Sequence, residues 1–221
     1  DLMDALKKII NKQVKICDLD IINYLKFLEQ YTFDHVQEKI FYAAPKHLSK
    51  NKLNLVKIFL THGHLDHAGG AFNLSQEHDV KIEGPHPDDE FLIMGLEDQG
   101  KMYGVPGTKN FLPDRWLEDG DKIELDGISF DVYHCPGHTP GHVVFHQADA
   151  KIAIVGDVLF QGSIGRTDLP RGNTQSLIDS IRNKLWKLDD DTTFVPGHGP
   201  LSTFGQEKKT NPYVADQLFK E

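Results

Sequence analysis

The stretch Thr61-His-Gly-His-Leu-Asp-His67 constrains this chain more than any other. It directly follows the apolar, β-branched run Val56 to Leu60, so three imidazoles and one carboxylate emerge where a strand gives way to a loop. Neutral imidazole nitrogen and carboxylate oxygen are the donors that borderline divalent cations prefer. Four such groups within six residues need only one tight loop to converge, and Gly63, Gly69 and Gly70 permit the tight backbone. The alternative is a merely polar surface loop, and the spacing argues against it. A fold for this chain must therefore set His62, His64, Asp66 and His67 together at the end of a strand.

Three further donors follow the same rule of placement. His138 lies in Pro136-Gly-His-Thr-Pro140 after a strand running through Tyr133, Asp157 follows the run Ile152 to Val155, and His198 lies in Pro196-Gly-His-Gly-Pro200. Each sits in Gly or Pro turn chemistry that holds a short loop in one shape. Alone, an Asp after a strand is usually a cap and a turn His is usually solvated. Together with the first four they make seven donors, too many for one tetrahedral ion. They suit two divalent ions about 3.5–4 Å apart that share a carboxylate. Zinc is the favoured ion; iron and manganese accept the same donor types.

The remainder of the chain reads as α plus β. Short strands are expected at Val56 to Leu60, Lys122 to Leu125, Ile128 to Tyr133, His142 to His146, Ile152 to Val155 and Thr193 to Val195, with helical periods around Ala68 to Ser75, Asp88 to Asp98 and Thr174 to Trp186. Residues Asp1 to Asn51 instead read as two or three helices, from apolar positions such as Leu2, Ala5, Leu6, Ile9 and Ile10, with a short strand at Val14 to Cys17. At 221 residues, with 39% hydrophobic and 26% charged, one packed domain over 1–221 is expected. A formal net charge of -9 argues against a nucleic-acid partner, which demands basic surface. No run approaches the roughly 20 apolar residues of a membrane span. Two cysteines, Cys17 and Cys135, make no disulfide framework, and the chain opens without a secretory signal pattern, so a cytoplasmic setting is expected.

The H-x-H-x-D-H run, the later Gly-His turn, the Gly-Asp after a strand and the final Pro-Gly-His together resemble the metallo-β-lactamase superfamily, and within it the glyoxalase II type in its short bacterial form. Further matches are Pro113-Asp-Arg-Trp116, Cys135-Pro-Gly-His-Thr-Pro-Gly-His142, Gly156-Asp-Val-Leu-Phe160, Gly165-Arg-Thr-Asp168 with Pro170-Arg-Gly172, and Glu207-Lys208 with Asn211-Pro212. The resemblance spans 53–212 and implies a four-layer αββα sandwich with metals at one edge of the two sheets. It implies that His62, His64 and His138 hold one ion, that Asp66, His67 and His198 hold the other, and that Asp157 bridges them. Residues 1–51 depart from the family pattern, being helix-rich where strands and an Asp-Pro-Gly-Gly turn are usual. A monomer or a homodimer completed through that segment is expected.

Two cations bridging one water should lower its pKa from 15.7 toward about 7, making a nucleophile at neutral pH. Asp66 is expected to orient that water and take its proton as well as to ligate. A thiol leaving group, with pKa about 8.5, needs no dedicated acid. The resemblance implies hydrolysis of a small-molecule thioester such as S-lactoylglutathione, and this chemistry is compatible with it. Arg166 and Arg171 flank Asp168 near the bridging carboxylate and suit a substrate carboxylate, the alternative being an arginine paired with Asp168. Lys208, beside Lys209, is a weaker candidate, and the helical C-terminal extension of longer glyoxalase II enzymes is not evident. His134, His142 and His146 are expected to pack or to support ligands, and His78 and His86 to lie on the surface. Two rival readings remain. One is an iron-dependent persulfide dioxygenase using His62, His138 and Asp157 for a single iron; the other is a non-catalytic, metal-containing interaction module.

Overall fold

The computed structural model describes residues 55–125 and 127–220. The helices and the strand expected within Asp1 to Asn51 lie outside the described residues. The first described elements are β1 (Ile58–Phe59), α1 (Leu65–Ala68), α2 (Ala71–His78) and β2 (Ile82–Glu83), followed by a 3-10 turn at Pro87–Asp89, α3 (Glu90–Ile93) and α4 (Leu96–Met102). Strands β3 (Lys122–Leu125), β4 (Ile128–His134), β5 (Val143–Gln147) and β6 (Ile152–Gly156) form consecutive antiparallel pairs. A small hairpin, β7 (Leu159–Phe160) with β8 (Ser163–Ile164), leads into α5 (Thr174–Asn183), β9 (Thr193–Pro196), β10 (Ser202–Thr203) and α6 (Phe204–Thr210).

Layering follows from which face of each strand is buried. In β5, Val143 and Phe145 point one way and Val144 the other, and all three are fully buried, which is why the run is continuously apolar. On one side Val144 joins Ala153, Val155 and Phe194 beneath Leu177 and Ile181 of α5 and Phe204 of α6. On the other, Val143 and Phe145 join Ile123, Val132 and Leu117, with Phe59 of β1 packed against Phe145 at 5.9 Å between ring centroids. A third cluster seats α1, α2, α3 and α4 on β1 and β2 through Leu65, Ala68, Ala71, Ile93 and Leu96 against Leu60 and Ile82. The order is helices, small parallel sheet, six-stranded sheet, helices: the expected αββα sandwich. Each fully buried Leu, Ile or Phe side chain contributes about 1.5–3 kcal/mol to holding the layers.

Strand direction decides where the ligands emerge. The six-stranded sheet runs β10-β9-β6-β5-β4-β3, with β6 and β9 parallel and β4, β5 and β6 alternating. The ends of β4, β6 and β9 and the start of β5 therefore share one edge. The amide of Val143 donates to Thr61 O at 2.8 Å, tying the loop after β1 to that same edge. A register shift at the end of β6 and a left-handed Gly156 (φ 48) turn the chain sharply before Asp157. Helix α5 is capped by Asn173, whose side chain accepts from the Ser176 amide at 2.9 Å, and it buries Leu177 and Ile181 one turn apart. Its first turn presses on the His138 turn so closely that a Cβ on Gly137 would lie 2.4 Å from Leu177.

Most expected strands are present within a residue or two. The helical period at Asp88 to Asp98 is broken into a 3-10 turn and two short helices, and that of Thr174 to Trp186 ends at Asn183 before a 3-10 turn at Leu185–Lys187. The two-residue strands β2, β7, β8 and β10 are too short for any alternation to show in sequence. No helix among the described residues is long and apolar enough to cross a membrane.

Candidate metal centre

All seven donors meet at the shared edge. His62, His64 and His138 form one group, Asp66, His67 and His198 a second, and His62, His67 and Asp157 an overlapping third; within each group the ligand atoms lie within 4.8 Å of one another. Asp157 stands between the first two groups. Its Oδ2 is 3.6 Å from both His138 Nε2 and His198 Nε2, and its Oδ1 is 3.5 Å from His67 Nε2. Across the second group, Asp66 Oδ2 lies 3.1 Å from His198 Nε2 and 3.5 Å from His67 Nε2.

The imidazoles are held with lone pairs aimed inward. His138 donates Nδ1–H to Arg166 O at 2.8 Å, which turns Nε2 toward His64 Nδ1, 2.9 Å away. His62 meets Thr61 Oγ1 through Nδ1 at 3.1 Å, while its Nε2 is buried with no hydrogen-bond partner. Such an orphaned acceptor costs about 1–3 kcal/mol unless something satisfies it, and a cation in this donor set would do so. Burial, followed by the charge of neighbouring histidines, holds His62 well below its ordinary pKa, and the same causes bring His64 down to about 4. Burial also depresses His138 and His142. Burial pushes the carboxyls of Asp66 and Asp157 up, but hydrogen bonds from His198 and His67 and the surrounding imidazole charge win; Asp157 settles at about 2 and Asp66 also falls well below the carboxylate range. His62, His64 and His138 are thus held toward the neutral form and Asp66 and Asp157 toward the ionised one, the protonation states that bind divalent cations.

The cradle is open on one side. His62 and His138 are almost fully buried, whereas the Asp66 and His198 side chains are 31% and 35% exposed, so solvent reaches the site from their side. Space is tight at Gly197, where a Cβ would lie 2.2 Å from Asp157 Oδ1 and 2.6 Å from His67 Cε1, and at Gly165, where one would lie 1.9 Å from Asp157 O.

The loop 165–173 arches over the His138 turn, pinned by Arg166 O at one end and by the Asn173 amide, which donates to Gly137 O at 2.8 Å, at the other. Arg166 makes a two-pronged bond to Asp168 at 2.7 Å per prong, the structural pairing considered from sequence. Arg171, at φ 63, lays its guanidinium 4.0 Å from the Phe91 ring centre. Lys208 is bound to Asp190 and Leu188 O. The sequence matches Glu207 and Asn211 also gain a physical account: Glu207 accepts from the Gly162 amide and Asn211 donates to Ser163 O, so α6 clamps the β7–β8 hairpin that leads into Arg166.

Two residues support the ligands, His142 in the role expected for it and Asp89 without a signal in the sequence. His142 stacks on His62, with ring centres 4.6 Å apart, and its Nε2 accepts from the Asp157 amide at 3.0 Å. The repeated Pro-Gly-His pattern within Cys135 to His142 was the available signal. Asp89 is fully buried beneath the metal loops, and nothing in Pro87-Asp-Asp-Glu90 distinguishes it from an ordinary helix-start carboxylate. His86 is not a free surface residue: it stacks on His134, with ring centres 3.9 Å apart, and bonds Glu118. These two rings, with Asp88, bring further donor atoms close together. Because the rings are nearly parallel at 10°, their in-plane lone pairs run side by side rather than toward one ion.

A fold of this kind with this donor set defines a class. The family model of the metallo-beta-lactamase superfamily matches residues 32–198, and the chain belongs to that superfamily of metallohydrolases. Among characterised relatives, the hydroxyacylglutathione hydrolase GloC of Haemophilus influenzae is 50% identical over 163 residues, covering 73% of this chain and 77% of the relative. Two solved structures share the fold over 77% of this chain. They are the BLEG-1 B3 metallo-beta-lactamase (TM-score 0.70, 34% identity, 82% of that chain) and TTHA1623 in a di-iron-bound form (TM-score 0.69, 37% identity, 83% of that chain).

Proposed function

We propose that the chain, acting as one domain over 1–221, hydrolyses a small-molecule thioester of the S-lactoylglutathione type with the help of two divalent ions. The observation that carries the reading is Asp157 lying between two complete donor groups. His62, His64 and His138 would hold one ion and Asp66, His67 and His198 the other. Bound there, the pair would supply Lewis acidity toward the thioester carbonyl and would lower the pKa of a bound water. Zinc is the proposed metal, with iron and manganese competing through availability.

The remaining chemistry falls to side chains of the chain. Asp66, held ionised at the open side with Oδ2 turned to His198, accepts a hydrogen bond from the attacking water and takes its proton. The departing thiolate, with a pKa of about 8.5, leaves without an acid. Arg171 flattened on Phe91 keeps its edge N–H groups for a substrate carboxylate, in a loop fastened over His138. Arg166 is the second candidate once its bond to Asp168 opens, whereas the bonds to Asp190 and Leu188 O already occupy the Lys208 ammonium. The free thiol of Cys135, buried and pushed up to about 12 by that burial, suits a reducing cytoplasm. The test is turnover of S-lactoylglutathione with a count of ions per chain, run beside oxygen uptake with glutathione persulfide. Two ions and thioester cleavage support the proposal. Oxygen uptake with a single iron, or no turnover of either substrate, overturns it.

A further inference from the structure

We propose that Asp89 is a positioning residue that locks the loop carrying His62, His64 and His67 to the turn carrying His138, so that cations meet a pre-formed donor array. The inference rests on the metal reading above. Asp89 ends the 3-10 turn Pro87–Asp89 and is fully buried between the two loops. Its Oδ2 accepts from the Gly63 amide at 2.8 Å and from Thr139 Oγ1 at 2.9 Å, and its Oδ1 accepts from the Gly141 amide at 2.6 Å. Gly63 lies between two proposed ligands of the first loop, Thr139 follows the ligand of the second, and Gly141 precedes the histidine that supports Asp157.

Both glycines are required by this contact. A Cβ on Gly141 would sit 2.5 Å from the Asp89 amide nitrogen, and one on Gly63 would sit 3.3 Å from Asp89 O and 2.8 Å from Leu92 Cβ. The loops thus close onto the carboxylate as far as a backbone without side chains permits. Three donors converge on a group that only accepts. Asparagine in its place would turn an N–H toward one of them, leaving a buried donor unmatched. The ligands themselves would be unchanged, but the relative placement of the two loops would loosen, and supporting residues of this kind are worth about 10- to 100-fold in metal affinity.

The test uses the full chain as wild type, Asp89→Asn, Thr139→Val and, as a control, Asp114→Asn. Asp114 makes a comparable bond to the Ile82 amide at 2.9 Å but touches neither metal loop. Zinc affinity is measured by chelator competition, and exchange of the Gly63 and Gly141 amides is measured by NMR on metal-free protein. Asp89→Asn is expected to bind zinc about 10- to 100-fold more weakly and to exchange both amides about tenfold faster, with Asp114→Asn changing neither. Wild-type affinity or unchanged protection in Asp89→Asn overturns the proposal. Should Asp89→Asn not fold, Thr139→Val decides: weaker zinc binding with a native circular-dichroism spectrum supports it, and wild-type affinity overturns it. A wild-type chain that binds no zinc would refute the metal reading, and the exchange rates would still decide whether Asp89 joins the loops.

Discussion

Replacing Gly197 by alanine adds one methyl group at a tight point of the metal centre, against the Asp157 and His67 side chains. The backbone there is outside the left-handed region, so alanine brings no conformational strain and its whole effect is steric. The new Cβ would lie 2.2 Å from Asp157 Oδ1 and 2.6 Å from His67 Cε1, against ordinary contacts of 3.4 Å or more. One of these groups, or the turn at Pro196 to His198, must therefore move by about 1 Å. A misplacement of that size at a reacting centre lowers turnover by about 100-fold. Overpacking adds about 1–3 kcal/mol of destabilisation. The assay is thioester turnover together with metal content and urea denaturation. Gly199→Ala is the control, since Gly199 has φ 79 and open space around its Cβ position. It is expected to lose about 1–2 kcal/mol of stability through backbone strain while keeping its metals and its kcat. Wild-type kcat and full metal content in Gly197→Ala would refute the placement of Asp157 and His67 in the reacting centre.

Three other outcomes are expected. His142→Phe keeps a ring stacked on His62 but leaves the Asp157 amide without its acceptor, so urea denaturation should show a loss of about 1–3 kcal/mol and chelator competition a weaker site; unchanged values would contradict the support role. Stability of the metal-free protein should decline as pH falls below about 6.5, because unfolded imidazoles take up protons there while His62, His64, His138 and His142 are depressed in the fold, His64 to about 4. Burial raises Asp89 to about 6 and so works in the opposite direction, one group against these four histidines and the likewise depressed His134 and His146; denaturation midpoints that hold steady or rise from pH 7 to 5 would speak against this balance. Chelation should abolish turnover and lower thermal stability, by about 2.7 kcal/mol relative to ions present at 100 times their Kd, with recovery on adding metal back; His64→Ala should remain folded yet inactive under every metal.

The sequence alone determined the chemistry of the site. Four donors crowded behind one strand, and three more placed after later strands, specify a divalent-metal centre because few other uses justify such residues in such turns. The main strands were legible for a similar reason: alternation and β-branching are local properties, and β5, buried on both faces, opens with three consecutive apolar residues, Val143 to Phe145. Tertiary structure decided what depends on contacts between distant segments. The division of seven donors into two groups around Asp157 follows from the parallel pairing of β6 with β9 and the antiparallel pairing of β4 with β5, neither of which has a local signature. Asp89, 26 residues from Gly63 and 52 from Gly141, becomes a clamp only once both loops fold over it. Arg166, Arg171 and Lys208 look alike as basic residues in sequence, and only their neighbours Asp168, Phe91 and Asp190 set them apart. Side-chain chemistry is carried by each residue wherever it sits, whereas burial, lone-pair direction and the spacing between donors exist only after the chain has closed on itself.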